Sequence, residues 1–283
     1  MTHRIHAVEK VNFSIYPGET LALVGESGSG KSTIGRSIQQ LQALTEGDIH
    51  FEGRSLRRLT KARKKALKRD IQYIFQDPFA SLDPRKTVGF SIAEPIRTHK
   101  IMHHSSEIKQ RVSESLERVG LNAEHASRYP HEFSGGQRQR ICIARALACN
   151  PKLIIADEAL SALDVTIQAQ IINLLMELQE EQGIALLFIS HDMAVVEKMS
   201  HRVAVLYLGQ IVEIGSRQQV LESPQHSYTQ KLLSAVPIAD PTRVRNHCQI
   251  TGEVPSPVRE VGNEPETLIY REFQTGHWIA QGQ

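Results

Sequence analysis

The chain has 283 residues, enough for one good core and a small addition. Its makeup, 40% hydrophobic and 23% charged, is that of a globular protein, and a formal charge of +2 gives no electrostatic case for nucleic acid as a partner. No apolar run approaches the ~20 residues that cross a bilayer, Met1-Thr2-His3-Arg4-Ile5-His6 has no apolar signal segment, and three cysteines without metal-ligand spacing read as reduced thiols, so a cytosolic chain is expected.

At the front, Val8, Val11, Phe13 and Ile15 partly alternate, which predicts the edge of a strand pair over residues 5–16 before the turn Tyr16-Pro17-Gly18-Glu19. The apolar run Leu21-Ala22-Leu23-Val24 then feeds Gly25-Glu26-Ser27-Gly28-Ser29-Gly30-Lys31-Ser32-Thr33, and Ile34, Ile38 and Leu41 follow at helical spacing. A strand, G-x-x-x-x-G-K-S and a helix in that order make a phosphate-binding loop. Gly25, Gly28 and Gly30 let backbone N–H groups approach phosphate oxygens, and the helix N-terminus adds its dipole. Lys31 brings a full positive charge to the β- and γ-phosphates. The Ser32 hydroxyl suits Mg²⁺, a hard cation that takes oxygen ligands. Ser27, Ser29 and Thr33 complete the expected nucleotide-binding set.

Residues 46–53 read as a short strand bounded by glycines, and Arg54 to Arg69 is a basic run around Leu56, Leu59 and Leu67. With no aromatic residue interleaved to stack a base, that run reads as a solvated helix face. Ile71-Gln72-Tyr73-Ile74-Phe75 predicts a strand that ends at Gln76-Asp77-Pro78. Beyond it, residues 81–97 are Pro-punctuated, and Ile108, Val112, Leu116 and Val119 predict a helix over 106–120. This break in the alternation of strand and helix predicts a helical subdomain, about residues 82–150, inserted into an α/β core. His99, His103 and His104 lack a carboxylate or thiol at ligand spacing, so no metal site is expected there.

Phe133-Ser134-Gly135-Gly136-Gln137 opens a helix whose apolar face is Ile141, Ala144, Leu147 and Ala148. Ser134 is a natural N-cap, and two glycines leave the first N–H groups bare for an anion. After Asn150-Pro151, Lys152 to Ala156 is a continuous apolar run typical of a buried parallel strand. Asp157 and Glu158 follow at its C-terminal edge, where open α/β sheets place ligand sites. On a strand, neighbouring residues face opposite sides, so Asp157 is assigned to the metal and Glu158 to the attacking water. Ser161-Ala162-Leu163-Asp164 precedes a helix that runs to Gly183, with Ile167, Ile171, Leu174, Leu175 and Leu178 as its buried stripe. A further strand, Ile184 to Ile189, delivers Ser190 and His191 to the same sheet edge.

These motifs, in this order, resemble the ABC-type ATPases. The resemblance implies an α/β P-loop NTPase core of RecA-like type with an inserted helical subdomain, and ATP and Mg²⁺ as cofactors. It makes residues 25–33 the Walker A loop and Gln76 the Q-loop glutamine, a metal ligand with Ser32 and Asp157. Ser134, Gly135, Gly136 and Gln137 become the signature acting on a partner's ATP, Ser161 and Asp164 the D-loop, and Glu158 and His191 the catalytic pair. In that family two cassettes pair head to tail against two membrane permease subunits. Residues 74–85, Tyr129-Pro130-His131-Glu132-Phe133 and residues 223–233 are similar to the branch that imports dipeptides and oligopeptides, and within it to importers of glutathione, served indirectly by a periplasmic binding protein. The expected organisation is a cassette over 1–236 and an extension of the peptide-importer type over 237–283, acting peripherally at the cytoplasmic face of the inner membrane. The second cassette is a copy of this chain, a different cassette, or one fused ahead of it.

Two features depart from that branch. Gly252 to Pro257 matches the segment that follows its cysteine cluster, yet only Cys248 is nearby, so no iron–sulfur cluster is expected. No aromatic residue precedes Phe13, where the family stacks adenine, so either the chain is a piece of a two-cassette protein or adenine is held otherwise. A di- or oligopeptide or nickel-type importer is the nearest alternative. A non-transport ABC ATPase would insert a long coiled coil or a zinc module ahead of the signature, and no heptads lie there. A catalytically dead module would have lost Lys31, Glu158 or His191, and all three are present.

Overall fold

The computed structural model describes residues 3–161, 163–235, 258–260 and 262–281. Ala162, Cys248, residues 252–257 and the expected boundary at 236/237 lie outside them.

In chain order the elements begin with β1 (His3–Ile5) and β2 (Thr20–Val24), whose five residues are all buried because both faces of the strand are covered. Between them residues 6–15 hold no strand, which corrects the expected strand pair: partial alternation sets which side chains turn inward but provides no ladder of hydrogen bonds. Helix α1 (Lys31–Ile38) ends before Leu41, which is 53% exposed, so the helical spacing outlasts the helix. The hairpin β3 (His50–Phe51) and β4 (Arg54–Ser55) pairs through the turn at Glu52-Gly53, both with positive φ. Helix α2 (Lys61–Asp70) is capped by Thr60 and buries only Leu67, as the solvated basic face predicts.

After β5 (Ile71–Ile74) come α3 (Pro78–Ser81), α4 (Val88–Thr98), α5 (Ser105–Arg118) and α6 (Gly135–Leu147), so residues 75–152 carry no strand. Then β6 (Leu153–Asp157), α7 (Val165–Gln182), β7 (Ala185–Ile189) and α8 (Met193–Met199) restore the alternation. Helix α7 stops where expected, at Gly183, whose left-handed φ of 64° a side chain would strain. The remainder is β8 (Arg202–Tyr207), β9 (Gln210–Ser216), α9 (Arg217–Glu222), α10 (Ser227–Ser234), β10 (Val258–Glu260), β11 (Ile269–Gln274) and β12 (His277–Gln281).

Two compact units form. The first joins Met1–Ile15, Thr20–Arg36 and Phe188–Gln283. Its sheet runs β11-β12-β9-β8-β2, antiparallel except for β2 beside β8, where Leu21 faces Arg202 and Val24 faces Val205. A separate ladder pairs β1 with β10. The second unit, Tyr16–Glu19 with Ser37–Leu187, holds β5 parallel to β6, and its helices α4, α5 and α6 bury Ile92, Ile96, Leu116 and Ile141 completely.

Cys142 and Cys149 belong to this second core, and burial pushes each thiol up to about 11. A raised folded value means the folded chain keeps its protons while the unfolded chain loses them. Stability is therefore complete below pH ~9 and falls as pH rises towards 11, by roughly 2–3 kcal/mol for each thiol. Urea midpoints measured from pH 8 to 10.5 are expected to fall, and the C142S/C149S chain should lose less than its parent over that window. A parent curve no steeper than that of the double variant contradicts the assignment.

Candidate functional site

In the first unit, Val24 ends β2 and the chain turns through Gly25, Gly28 and Gly30, at φ of 146°, 81° and 105°. A Cβ on Gly25 would stand 2.1 Å from the Leu206 carbonyl oxygen, and one on Gly30 would stand 2.2 Å from that of Ala7. Neighbouring backbone thus closes in from behind, and only glycine fits. Gly28 meets nothing within 4 Å, so its glycine answers to conformation alone. The β8–β9 turn supports the loop from another side, Gly209 N–H donating to the Ser29 carbonyl at 3.0 Å.

Lys31 is 5% exposed, and its Nζ donates to the carbonyls of Gly25 at 2.8 Å and Glu26 at 2.7 Å, so the ammonium is drawn over the loop's own concavity. The buried Ser29 Oγ has no hydrogen-bond partner among the described residues. A buried hydroxyl left unmatched costs free energy, and a phosphate oxygen would match it. The loop therefore fits a phosphate on its backbone curvature, on the placement of its ammonium and on an orphaned hydroxyl. Ser190 N–H donates to the Leu23 carbonyl at 3.3 Å, which brings the start of the His191 loop alongside the end of β2. His191 itself is exposed.

The second unit gathers the remaining motifs. Asp157 is the last residue of β6, buried, with its Oδ2 accepting the Tyr73 hydroxyl at 2.6 Å. Glu158 is not on the strand: its φ of 47° turns it off the end of β6. The division between the two acids therefore comes from a left-handed turn and not from strand alternation. Gln76 Nε2 donates to Glu158 Oε2 at 2.9 Å, so the two residues the sequence assigns to metal and water are in contact. The Ser161 hydroxyl closes the turn by donating to the Glu158 carbonyl at 2.9 Å. Asp164 caps α7, its Oδ1 accepting Ile167 N–H at 3.0 Å. Within this unit Gln76 and Asp157 offer an amide and a carboxylate oxygen, hard donors that suit Mg²⁺, and in the first unit the Ser32 hydroxyl beside Lys31 is a donor of the same kind.

Ser134 caps α6 as expected, in a reciprocal box: Gln137 N–H donates to Ser134 Oγ at 3.3 Å, and Ser134 N–H donates to Gln137 Oε1 at 3.0 Å. The two glycines differ. A Cβ on Gly136 would stand 2.6 Å from Ile167, so packing against α7 demands glycine there, whereas Gly135 faces open space. Arg138 and Arg145 fasten this helix to the segment after Gln76. The Arg138 guanidinium lies 3.8 Å from the Phe79 ring centroid, and Arg145 donates to the Ser81 carbonyl. Sequence reading missed Tyr73, Gly209, Arg138 and Arg145, because each looks like an ordinary strand, turn or helix residue until its partner is known.

Comparison with known proteins agrees with this geometry. The sequence profile of the family described as ABC transporter matches residues 8–161, and that of the oligopeptide/dipeptide transporter, C-terminal region, matches residues 212–262. The chain is 62% identical over 281 residues to the glutathione import ATP-binding protein GsiA of Pectobacterium atrosepticum and 60% identical over 284 residues to its Escherichia coli namesake. These alignments take 99% and 100% of this chain but 45% of each relative, so the chain spans about half the length of the curated relatives it matches. Among solved structures, the dimeric post-hydrolysis state of the ATP-binding cassette MJ0796 bound to ADP and Pi is similar at 33% identity and a TM-score of 0.68, over 75% of this chain and 90% of that one. The cbiO1 protein of Clostridium perfringens, part of the ABC transporter complex cbiONQ, is similar at 28% identity and a TM-score of 0.70, over 77% and 84%. On the profile matched over residues 8–161 and the α/β cassettes it resembles, the chain belongs to the ABC transporter family and has the P-loop NTPase fold of an ATP-binding cassette.

Proposed function

We propose that the chain binds Mg²⁺ATP and hydrolyses it as the nucleotide-binding subunit of an importer, and that the imported molecule is glutathione. The observation that carries the hydrolytic reading is Glu158: a half-buried carboxylate turned off the end of a buried strand and touched by the Gln76 amide. A side chain placed so can accept a proton from water at a γ-phosphate, while Asp157, buried and tied to Tyr73, would serve a metal. Lys31 and the N–H groups at the start of α1 bind and orient the phosphates. Ser32, Gln76 and Asp157 would hold Mg²⁺, whose positive charge would offset the negative charge on the phosphates. Ser134 to Gln137 present a capped helix start, open at Gly135, to the ATP of a paired cassette, Ser161 and Asp164 shape the turn at the start of α7, and His191 is the second catalytic residue.

The pairing, the two permease subunits and the position at the cytoplasmic face of the inner membrane follow from the same reading. No described helix is long and apolar enough to cross a membrane, so attachment would run through partners. The division into a cassette over 1–236, with a helical subdomain about 82–150, and an extension over 237–283 is part of this proposal. The choice of glutathione rests on identity to proteins of that name over the length of this chain. Complementation tests it. Cells lacking their glutathione-import ATPase would receive the chain, joined to a first cassette, and are expected to recover uptake of labelled glutathione. Recovery of dipeptide uptake alone would refute glutathione and leave the ATPase standing.

A further inference from the structure

The phosphate loop begins with a peptide whose N–H no residue of the loop holds. Gly25 has no side chain, and its φ of 146° is one that a glycine leaves easily. Yet the carbonyl of this Gly25–Glu26 peptide is an acceptor of the Lys31 ammonium, at 2.8 Å. The N–H of the same peptide points the opposite way across a rigid trans plane. It donates to the Tyr228 hydroxyl oxygen at 3.1 Å, from a residue 202 positions further along the chain.

We propose that Tyr228 is a positioning residue of the nucleotide site: its phenol oxygen fixes the plane of the Gly25–Glu26 peptide and thereby the Lys31 ammonium. The inference rests on the reading of residues 25–33 as a nucleotide-binding loop. Lysine and tyrosine grip the two ends of one plate, so rotation of the plate breaks both bonds. Without the phenol, only the ammonium holds the carbonyl, and the ammonium, which also donates to the Glu26 carbonyl at 2.7 Å, is placed less tightly before phosphate arrives.

Tyr228 is itself built in. Its ring packs on Tyr207 with centroids 4.3 Å apart, and its N–H donates to His226 Nδ1 at 3.1 Å at the start of α10. The loop before it hangs on Glu213, which is fully buried and accepts the N–H groups of Gln225 at 2.9 Å and His226 at 3.0 Å. The carboxylate of Glu213 also meets His277 Nε2 at 2.8 Å, a buried contact from β12. Burial pushes the phenol up to about 12, so it stays neutral and its oxygen remains an acceptor at physiological pH. A tyrosine that merely fills the core would need none of this aim at one backbone N–H.

The test compares Tyr228→Phe, Tyr270→Phe and Lys31→Ala in the purified full chain, with Mg²⁺ATP titrated and turnover measured. Tyr228→Phe deletes only the hydroxyl and is expected to weaken Mg²⁺ATP binding and raise KM by about three- to tenfold, the worth of one hydrogen bond, with kcat within about twofold. Tyr270→Phe removes a comparable bond, from its hydroxyl to the Ile211 carbonyl at 2.8 Å, away from the loop, and should leave KM unchanged. An unchanged KM for Tyr228→Phe, or an equal rise in both tyrosine variants, overturns the proposal. Lys31→Ala separates the two layers: if it binds nucleotide as tightly as the parent, the phosphate-loop reading itself fails. If it loses binding while Tyr228→Phe does not, only the positioning role fails.

Discussion

Glu158→Gln is expected to bind Mg²⁺ATP within about twofold of the parent affinity and to lose at least ~100-fold in turnover. The amide keeps the size and polarity of the carboxylate but cannot accept a proton from water. The Gln76 contact at 2.9 Å involves an acceptor oxygen that the amide also carries, so the turn at the end of β6 should survive the exchange. Binding is measured with a labelled ATP analogue and hydrolysis by phosphate release. Turnover near that of the parent would remove Glu158 from the chemistry, whereas loss of binding and turnover together would make it a structural residue of the turn.

The second large effect is steric. Gly30→Ala is expected to cost about 3–5 kcal/mol of stability, or to force the loop out of shape and abolish nucleotide binding. Its Cβ would sit 2.2 Å from the Ala7 carbonyl oxygen, and backbone, unlike a flexible side chain, cannot step aside. Gly28→Ala is the internal comparison. It meets nothing within 4 Å, so it should pay only the conformational cost of φ 81°, about 1–2 kcal/mol. Urea unfolding without nucleotide reads both directly. Equal losses in the two variants would show that conformation, and not the close backbone, dictates the glycine at 30.

Much of the fold was legible in the sequence because local rules and tertiary packing agree. The all-buried strands β2, β6 and β7 read as unbroken apolar runs, α7 stopped at its glycine, and Ser134 announced the start of α6. Where the reading slipped, it relied on a pattern without the partner that makes it real. Val8 to Ile15 alternate in part but form no ladder, and Leu41 keeps helical spacing beyond the end of α1. Glu158 looked like a strand residue and sits in a left-handed turn, a conformation that no neighbouring residue type signals.

The sequence by itself determined the type of chemistry, since a phosphate loop, paired acids and a capped double glycine are short motifs whose physics is local. It also determined much of what is buried: of the stripe expected on α7, Ile171, Leu175 and Leu178 are buried, whereas Ile167 and Leu174 are only partly covered. Only the tertiary structure decided why particular glycines are irreplaceable, Gly25 against Leu206, Gly30 against Ala7 and Gly136 against Ile167. Only it decided which distant side chains hold the site still: Tyr73 on Asp157, Gln76 on Glu158 and Tyr228 on the peptide beside Gly25. Those contacts join residues up to 202 positions apart, and a hydrogen bond or a steric limit set by such a neighbour leaves no local trace in the chain until folding brings the partners within about 3 Å.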